Sequence, residues 1–215
     1  MKLNGVACML TGLLALAPAA FGQRWEVGGG GGGGFYTSET ISNPSAGNAD
    51  AKIGFGPLGG AWLGYNQTQH WGGEVRYGFQ SGNLLLSSNG SQASFSSLTH
   101  TMTYDLHYNF RTSEDTIRPF VAFGGGMKFY QGTGTEVAAQ PLYQVALLTK
   151  TNDMRPVASF GAGIKAHIGQ HWLLRVELHD YLTPFPTKII APNTGSKTPS
   201  LFNDMIPMAG ISYIF

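Results

Sequence analysis

Residues 71–79 read WGGEVRYGF and carry two chemically different faces. Every second residue is apolar, aromatic or glycine, and the residues between are charged or glycine. The first set is Trp71, Gly73, Val75, Tyr77 and Phe79, and the second set is Gly72, Glu74, Arg76 and Gly78. Successive side chains of a β-strand point to opposite sides, so this alternation predicts a strand with one polar face.

The same alternation recurs along the chain. It is strong in residues 102–110, 156–168 and 172–179, looser in residues 53–65 and 119–130, and present again in the last segment, 207–215. Pro57 has no amide hydrogen for a β-ladder, so we expect a bulge or local break there. Together with residues 71–79, these segments make seven predicted strands.

Seven consecutive glycines, at positions 28–34, precede these strands. Such a run is typical of a flexible linker. It also matches the phosphate-binding pattern G-x-G-x-x-G, but that pattern requires a following helix, which the sequence does not indicate. A membrane barrel needs an even number of strands, and residues 25–36 are long enough to cross a bilayer as a tilted strand. We therefore expect the glycines to be the middle of the first strand, leaving room for bulky neighbours, with the linker as the alternative.

The N-terminal segment has the parts of a secretory signal peptide: Lys2, an apolar core and small residues before position 23. We predict a signal peptide over residues 1–22 and one barrel domain over residues 23–215. Cys8, the single cysteine, lies in the signal peptide, so no disulfide is expected. The chain has 13 Lys and Arg against 12 Asp and Glu, and Lys2 would leave with the signal, so the net charge is near zero. This gives no reason to expect nucleic acid as a partner.

The connections between the eight predicted strands alternate in length. The long ones are residues 37–52, 80–97, 131–155 and 182–203, and the short ones are residues 66–70, 111–118 and 169–171. Outer-membrane barrels have short periplasmic turns and longer outer loops. The sequence therefore predicts an all-β protein, an eight-stranded antiparallel up-and-down transmembrane β-barrel. We expect loop 80–97, rich in Ser, Asn and Gly, to be mobile, and the apolar stretches of the last two long loops to pack together or bind a partner.

Glycine decides which face of the strands points inward. The charged face also carries many glycines, which the crowded interior of an eight-stranded barrel needs and a solvated surface does not. The predicted lumen holds Glu26, Glu74, Asp105 and Glu177 together with Arg76, Lys128, Lys165 and Arg175. The predicted third and seventh strands face each other across the ring and carry opposite signs at each level. We therefore expect the pairs Glu74–Arg175 and Arg76–Glu177, with Asp105 and Lys165 nearby.

Aromatic residues gather at the predicted strand ends. Trp25, Trp71 and Trp172 each begin a strand at its periplasmic end, which predicts an interfacial girdle that also includes Trp62. The opposite interface is expected to carry Phe35, Phe79, Phe129 and Tyr181.

The last segment, PMAGISYIF, resembles the final strand of bacterial outer-membrane barrels, with Tyr213 and Phe215 on one face and Phe at the end. The whole predicted mature chain resembles the small OmpA/OmpX-type barrels of the outer membrane protein β-barrel domain family. The resemblance implies location in the outer membrane of a Gram-negative cell, contact with its lipid and lipopolysaccharide, and recognition of Tyr213 and Phe215 by the barrel assembly machinery. Members of the family anchor, adhere or support the envelope.

A lumen filled by paired charges would be a plug, so we expect a structural, adhesive or surface-interaction role, not a general porin, with any extracellular ligand bound by the loops. One alternative is a lipopolysaccharide-modifying enzyme, for which His100 with Ser96 or Ser97 is the nearest candidate set. Another is a soluble exported ligand-binding barrel with its apolar face inward. His107, His167 and His179 come from separate strands without metal-ligand spacing, so we expect no metal and no cofactor.

Overall fold

The computed structural model describes residues 25–137 and 139–215, so the predicted signal peptide and Cys8 lie outside the described residues. The regular structure in this part of the chain is β-structure. The strands are β1 (Trp25–Tyr36), β2 (Glu39–Asn43), β3 (Gly47–Ile53), β4 (Gly56–Asn66), β5 (Trp71–Ser88), β6 (Ser91–Asn109), β7 (Ile117–Gly132), β8 (Ala146–Leu148), β9 (Asn152–His167), β10 (Trp172–Pro184), β11 (Ile190–Pro192) and β12 (Leu201–Ile214). The described residues contain no helix long and apolar enough to span a bilayer.

Eight of the strands close into an antiparallel ring. The order around the ring is β1, β4, β5, β6, β7, β9, β10 and β12, and β12 returns to pair with β1. Sequential strands are neighbours throughout, as in an up-and-down barrel, and the ring leaves no open edge. The predicted eight-stranded barrel is confirmed.

The glycine run is a strand, and the linker alternative is wrong. Gly28 to Gly34 pair with β4 on one side, and most of the run also pairs with β12 on the other. The indole of Trp62 lies across this part of the inner wall. A Cβ on Gly28 would come within 2.6 Å of Ser212 Oγ and closer still to the Trp62 indole. The missing side chain at Gly28 therefore makes room for a large aromatic ring, and those at Gly33 and Gly34 make room for Phe55 and Gln80.

The two faces of the barrel separate polar from apolar side chains. The inward face buries Glu74, Arg76, Asp105 and Arg175 among other polar residues, whereas the outward face exposes large apolar ones such as Met102 and Val176. A soluble ligand-binding barrel requires the reverse, an apolar interior and a polar exterior. The structure therefore overturns that alternative and leaves an apolar outer wall.

The prediction of a mobile loop at residues 80–97 is wrong. β5 and β6 continue through it as paired strands until Ser88 faces Ser91. The two turn residues, Asn89 and Gly90, have φ angles of 46° and 82°, the left-handed region that a two-residue hairpin turn requires. Asn-Gly is the sequence signal for such a turn, so this hairpin was readable from the sequence.

The break expected at Pro57 lies two residues earlier. Residues 54 and 55 separate β3 from β4, and Pro57 pairs with Gly33 inside β4. β4 pairs with the lower half of β5, and β3 pairs with its upper half, at residues 84–87. β3 and β4 therefore run alongside β5 as one interrupted strand.

Above the ring, the long connections form a folded cap. β8 pairs with β11, so the apolar stretches of the last two long loops pack on each other, which was one of the two outcomes expected. Asn43, at the end of β2, donates to Gln144 O at 3.3 Å and to Ser196 Oγ at 2.9 Å, tying three connections together. The cap has its own buried apolar core, formed by Tyr36, Ile41, Ala49, Ala51, Ile53, Leu84, Leu86, Ala93, Phe95, Tyr130, Val145, Ala146, Leu148, Phe185, Ile189, Ile190 and Phe202.

The interfacial aromatics are placed largely as expected. Trp25, Trp71 and Trp172 lie on the outer wall, each in ring contact with a tyrosine of a neighbouring strand. Trp62 and Tyr181 are corrections, because both are buried and point into the lumen. Trp62 has the parity of the inward glycines of β4, such as Gly60 and Gly64, and Tyr181 has the parity of Arg175 and Glu177 in β10, so alternation would have assigned both correctly.

At the other end of the barrel, the connection between β6 and β7 is a tight turn. Asp115 accepts hydrogen bonds from the hydroxyl and the backbone N–H of Thr112, at 3.0 and 2.9 Å. These bonds favour the ionised carboxylate and lower the pKa of Asp115.

The role of the glycine run predicts that inward and outward positions respond differently to alanine. Gly28→Ala should lower the free energy of unfolding by about 1–3 kcal/mol, because the new methyl group overlaps the Trp62 indole. Gly31→Ala is the matched control: its Cβ points outward, with the nearest atom 3.5 Å away, and should change stability by less than about 1 kcal/mol. Urea titration of both proteins refolded in detergent micelles measures the difference, and equal midpoints would contradict the role given to Gly28.

Candidate functional site

The centre of the lumen holds a closed ring of four charges, here called the charge quartet: Glu74 and Arg76 of β5, and Arg175 and Glu177 of β10. Arg175 Nη1 lies 2.6 Å from Glu74 Oε2, and Arg76 Nη2 lies 3.0 Å from Glu177 Oε2, with a second bond from Arg76 Nη1 to Glu177 Oε1. Both pairs expected across the lumen therefore form. Within each strand, Arg76 also bonds Glu74 at 2.8 Å and Arg175 bonds Glu177 at 2.6 Å.

The quartet forms because its two strands lie opposite each other in the ring. Alternation points both members of each i, i+2 pair inward, and the order acid–base on β5 faces base–acid on β10. Each carboxylate thus contacts two guanidinium groups and each guanidinium contacts two carboxylates. All four side chains are buried. Buried charges of this kind are tolerated only when paired and hydrogen-bonded.

Aromatic rings enclose the two guanidinium groups. The Arg175 carbon Cζ lies 4.9 Å from the Trp62 ring centroid and 4.7 Å from that of Phe120, and Arg76 Cζ lies 5.4 Å from Trp62. Trp62 Nε1 donates to Ser212 Oγ at 3.0 Å, which fixes the indole. The rings attract the cations through their π faces and exclude water from the quartet.

Towards the predicted periplasmic end, the charges continue as a second layer. Lys165 Nζ lies 2.6 Å from Glu26 Oε2, and Glu26 Oε1 lies 3.5 Å from Arg175 Nη1. Asp105 lies beside the quartet, with Oδ2 3.9 Å from Arg76 Nε. Arg118, which we had placed in a loop, is buried at the start of β7 and donates to Gln69 O at 3.2 Å.

Towards the cap, Lys128 occupies a cage of tyrosines. Its ammonium lies 2.6 Å from Asp204 Oδ2 and 4.8, 5.6 and 5.4 Å from the ring centroids of Tyr36, Tyr130 and Tyr181. Lys128 was expected in the lumen, but Asp204 was missed because β12 begins at Leu201, six residues before the predicted strand. Asp204 and Arg118 add one acid and one base to the predicted four of each, so the lumen charge stays balanced.

These layers leave little open space inside the barrel. One remaining cavity, between the quartet and the cap, is lined by Arg76, Glu177, His179, Tyr181 and neighbouring apolar residues, and has a volume of about 20 Å³. That is room for about one water molecule. The lumen is therefore closed at three levels in series: the quartet, the Lys128 cage and the apolar core of the cap.

Two of the three lumen histidines lie beside the charge quartet. His107 Nε2 lies 3.7 Å from Glu74 and His179 Nε2 lies 3.6 Å from Glu177, so both border the quartet. His167 is the last residue of β9, at the predicted periplasmic end of the barrel. Across residues 25–137 and 139–215, no three His, Cys, Asp or Glu side chains are grouped as a metal site would require.

The candidate catalytic set is not brought together. His100 lies on the outer wall, where its Nδ1 is 2.7 Å from the hydroxyl of Tyr77. Ser97 points the other way, is buried, and donates to Gly82 O at 3.2 Å. Ser96 is exposed and lies four residues before His100 on the outward face of β6.

The interlocked quartet predicts a large and non-additive response to mutation. Glu74→Gln should destabilise the barrel by about 3–5 kcal/mol, because it leaves the Arg175 guanidinium buried without its main partner. In the double variant Glu74→Gln/Arg175→Met, the loss should be smaller than the sum of the two single losses. Denaturant unfolding in micelles measures all three, with Glu114→Gln, at an exposed position in the β6–β7 turn, as the control. If the loss of stability in the double variant equals the sum of the two single losses, Glu74 and Arg175 do not interact.

Comparison with known proteins agrees with this architecture. Residues 6–196 match the family model described as outer membrane protein beta-barrel domain. No curated protein matches the sequence. Among solved structures, Neisserial surface protein A covers 89% of this chain and 97% of its own, at 9% identity and a TM-score of 0.55. OprG from Pseudomonas aeruginosa covers 90% and 97%, at 13% identity and a TM-score of 0.55.

A third solved structure, the N-terminal β-barrel domain of Pseudomonas aeruginosa OprF, covers 91% of this chain and 100% of its own, at 15% identity and a TM-score of 0.50. At these identities the likeness to solved structures shows the fold alone. The family match spans most of the sequence and places the protein in the bacterial outer membrane, with its apolar wall against lipid. The chain belongs to the outer membrane protein beta-barrel domain family.

Proposed function

We propose that this protein is a sealed membrane anchor that presents a rigid extracellular cap for surface interactions, and that it is not a general porin. The observation that carries the proposal is the series of three closures along the axis. Solute passing through the barrel would have to separate the charge quartet, displace Lys128 from Asp204 and disrupt the apolar core of the cap. Each step exposes groups that the fold keeps paired or buried.

The cap supports a role in surface interaction because it is built as a folded unit rather than as free loops. Its backbone is tied by the β2–β3 hairpin, the β8–β11 sheet and the bonds of Asn43. It also exposes apolar side chains, including Tyr143 and Leu147, which are 53% and 39% exposed. Exposed apolar groups on an ordered surface are typical of protein interaction sites, and a rigid surface loses little entropy on binding.

An enzymatic role has less support. An acyl hydrolase needs a nucleophile, a base and an orienting acid in contact near the lipid-facing rim. His100 instead bonds the Tyr77 hydroxyl, and its neighbouring aromatic ring is Phe79, at 5.1 Å. We therefore propose that the barrel is not a lipid-modifying enzyme, which a mass spectrum of lipid A from cells with and without the protein would test.

The closures in series predict the outcome of planar-bilayer recordings. The wild-type protein should show no porin-like conductance. Removing the central charges with Glu74→Ala/Arg175→Ala, opening the tyrosine cage with Lys128→Ala/Asp204→Ala, or disrupting the cap core with Ile190→Asp should each leave the conductance low, because the other two barriers remain. The variant that combines all three changes should conduct. Heat-modifiable migration on a gel verifies that each variant is folded, and a large wild-type conductance would refute the sealed barrel.

The surface role predicts that cells bind through the cap. A host strain displaying the protein should adhere to matrix-coated or abiotic surfaces more strongly than the empty host. Tyr143→Ser/Leu147→Ser should reduce this gain several-fold, whereas Gln67→Ser, in the turn at the other end of the barrel, should not. Equal adhesion of displaying and empty cells on every surface would reject the surface role while leaving the sealed barrel intact.

A further inference from the structure

A row of four side chains crosses the outer wall at the level that the sequence predicts for the upper membrane interface. Phe79 of β5 pairs with His100 of β6, His100 with Phe129 of β7, and Phe129 with Met154 of β9. All four point away from the lumen. Aromatic side chains at this height are typical of the boundary between acyl chains and headgroups. The histidine is the one polar member of the row.

The wall is not flat at this place. A half-open groove of about 470 Å³ runs across β6, β7 and β9. Its lower part is apolar, lined by Tyr77, Met102, Phe129 and Met154. Its upper part is polar, lined by Gln131, Asn152, Lys188 and Asp153, whose carboxylate is paired with Arg155 at 2.8 Å. Gln131 and Asn152 are paired in register directly above the pair Phe129–Met154. The groove therefore changes from apolar to polar along the membrane normal.

The two polar side chains in the lower part, His100 and Tyr77, are hydrogen-bonded to each other. His100 Nδ1 and the Tyr77 hydroxyl are 2.7 Å apart, and the His100 ring packs 5.1 Å from Phe79. This bond holds the imidazole against the wall, where an unpaired polar group facing acyl chains would be costly. The lower groove is thus a preformed surface that an acyl chain can contact.

Lys188 supplies a positive charge at the polar end. Its backbone is fixed, because its N–H donates to Asp153 Oδ2 at 3.1 Å and its carbonyl accepts from Thr149 and Thr151 at 2.6 and 2.9 Å. Its side chain is exposed, and no carboxylate of the described residues lies within 4.0 Å of its ammonium. Lys128 and Lys165, by contrast, each have a carboxylate at 2.6 Å.

We propose that this groove binds one anionic lipid of the outer leaflet. An acyl chain lies along Met102, Phe129 and Met154, and the phosphate of the headgroup lies at Lys188, within reach of the side-chain amides of Gln131 and Asn152. The apolar floor of the groove is continuous with the lipid-facing wall, and the unpaired ammonium of Lys188 lies at its polar end. This combination favours a phospholipid or glycolipid phosphate over a soluble anion or a protein. The proposal is independent of the adhesive role of the cap.

Native mass spectrometry of the protein in mild detergent tests this assignment. Dimyristoylphosphatidic acid should bind the wild type more tightly than dimyristoylphosphatidylcholine does. Lys188→Gln should weaken phosphatidic acid binding about fivefold, the effect of one lysine near an anionic lipid surface. Lys197→Gln, which removes an exposed charge elsewhere on the cap, is the matched control and should have no effect.

A second pair of variants tests the groove without changing charge. Met154→Trp should fill the lower groove and weaken binding of both lipids several-fold. Met205→Trp, at an exposed outward position on β12 beside Phe35, should leave binding unchanged. Equal affinity of the wild type for the two lipids, equal losses in Lys188→Gln and Lys197→Gln, or full binding by Met154→Trp would each overturn the proposal. Heat-modifiable migration confirms that every variant is folded.

Discussion

The structure depends on one electrostatic constraint: ionised side chains enclosed in a narrow cylinder must find partners inside it. The charge quartet meets this constraint with two acids and two bases on opposite strands, each in contact with both members of opposite sign. A shift of either strand by one residue would turn its charged side chains into lipid. The quartet therefore favours the alignment of β5 with β10 across the lumen, although buried ion pairs by themselves contribute little net stability.

The glycines of β1 are the steric counterpart of that constraint. The guanidinium groups of the quartet need a large aromatic surface beside them, and Trp62 supplies it from β4. In an eight-stranded barrel the indole fits only if the wall beneath it lacks side chains, which Gly28 and Gly210 provide. At Gly28 the entropy cost of ordering a glycine is thus explained by the space that the Trp62 indole needs.

The interior changes character along the barrel axis. The membrane-spanning part is filled by paired charges, and the part above it by an apolar core like that of a soluble domain. Lys128 lies at the boundary, where it bonds Asp204 and contacts the tyrosine rings that begin the apolar region. This division couples the cap to the barrel, because Tyr36 and Tyr130 belong to barrel strands and also to the cap core. The apolar core of the cap is therefore continuous with the barrel strands that support it.

In the sequence, period-two alternation determined the strands, and the glycines on the charged face determined which face points inward. Strand order and charge sign then determined the two cross-lumen pairs, because these properties add up around a closed ring. The Asn89-Gly90 turn signal likewise encodes the hairpin through which β5 and β6 continue beyond the membrane. Two things were decided only by tertiary structure. Asp204 and Arg118 join the lumen because their strands begin earlier than the alternation shows. The connections form a cap because apolar segments 40 or more residues apart in sequence pack together, which no local pattern encodes.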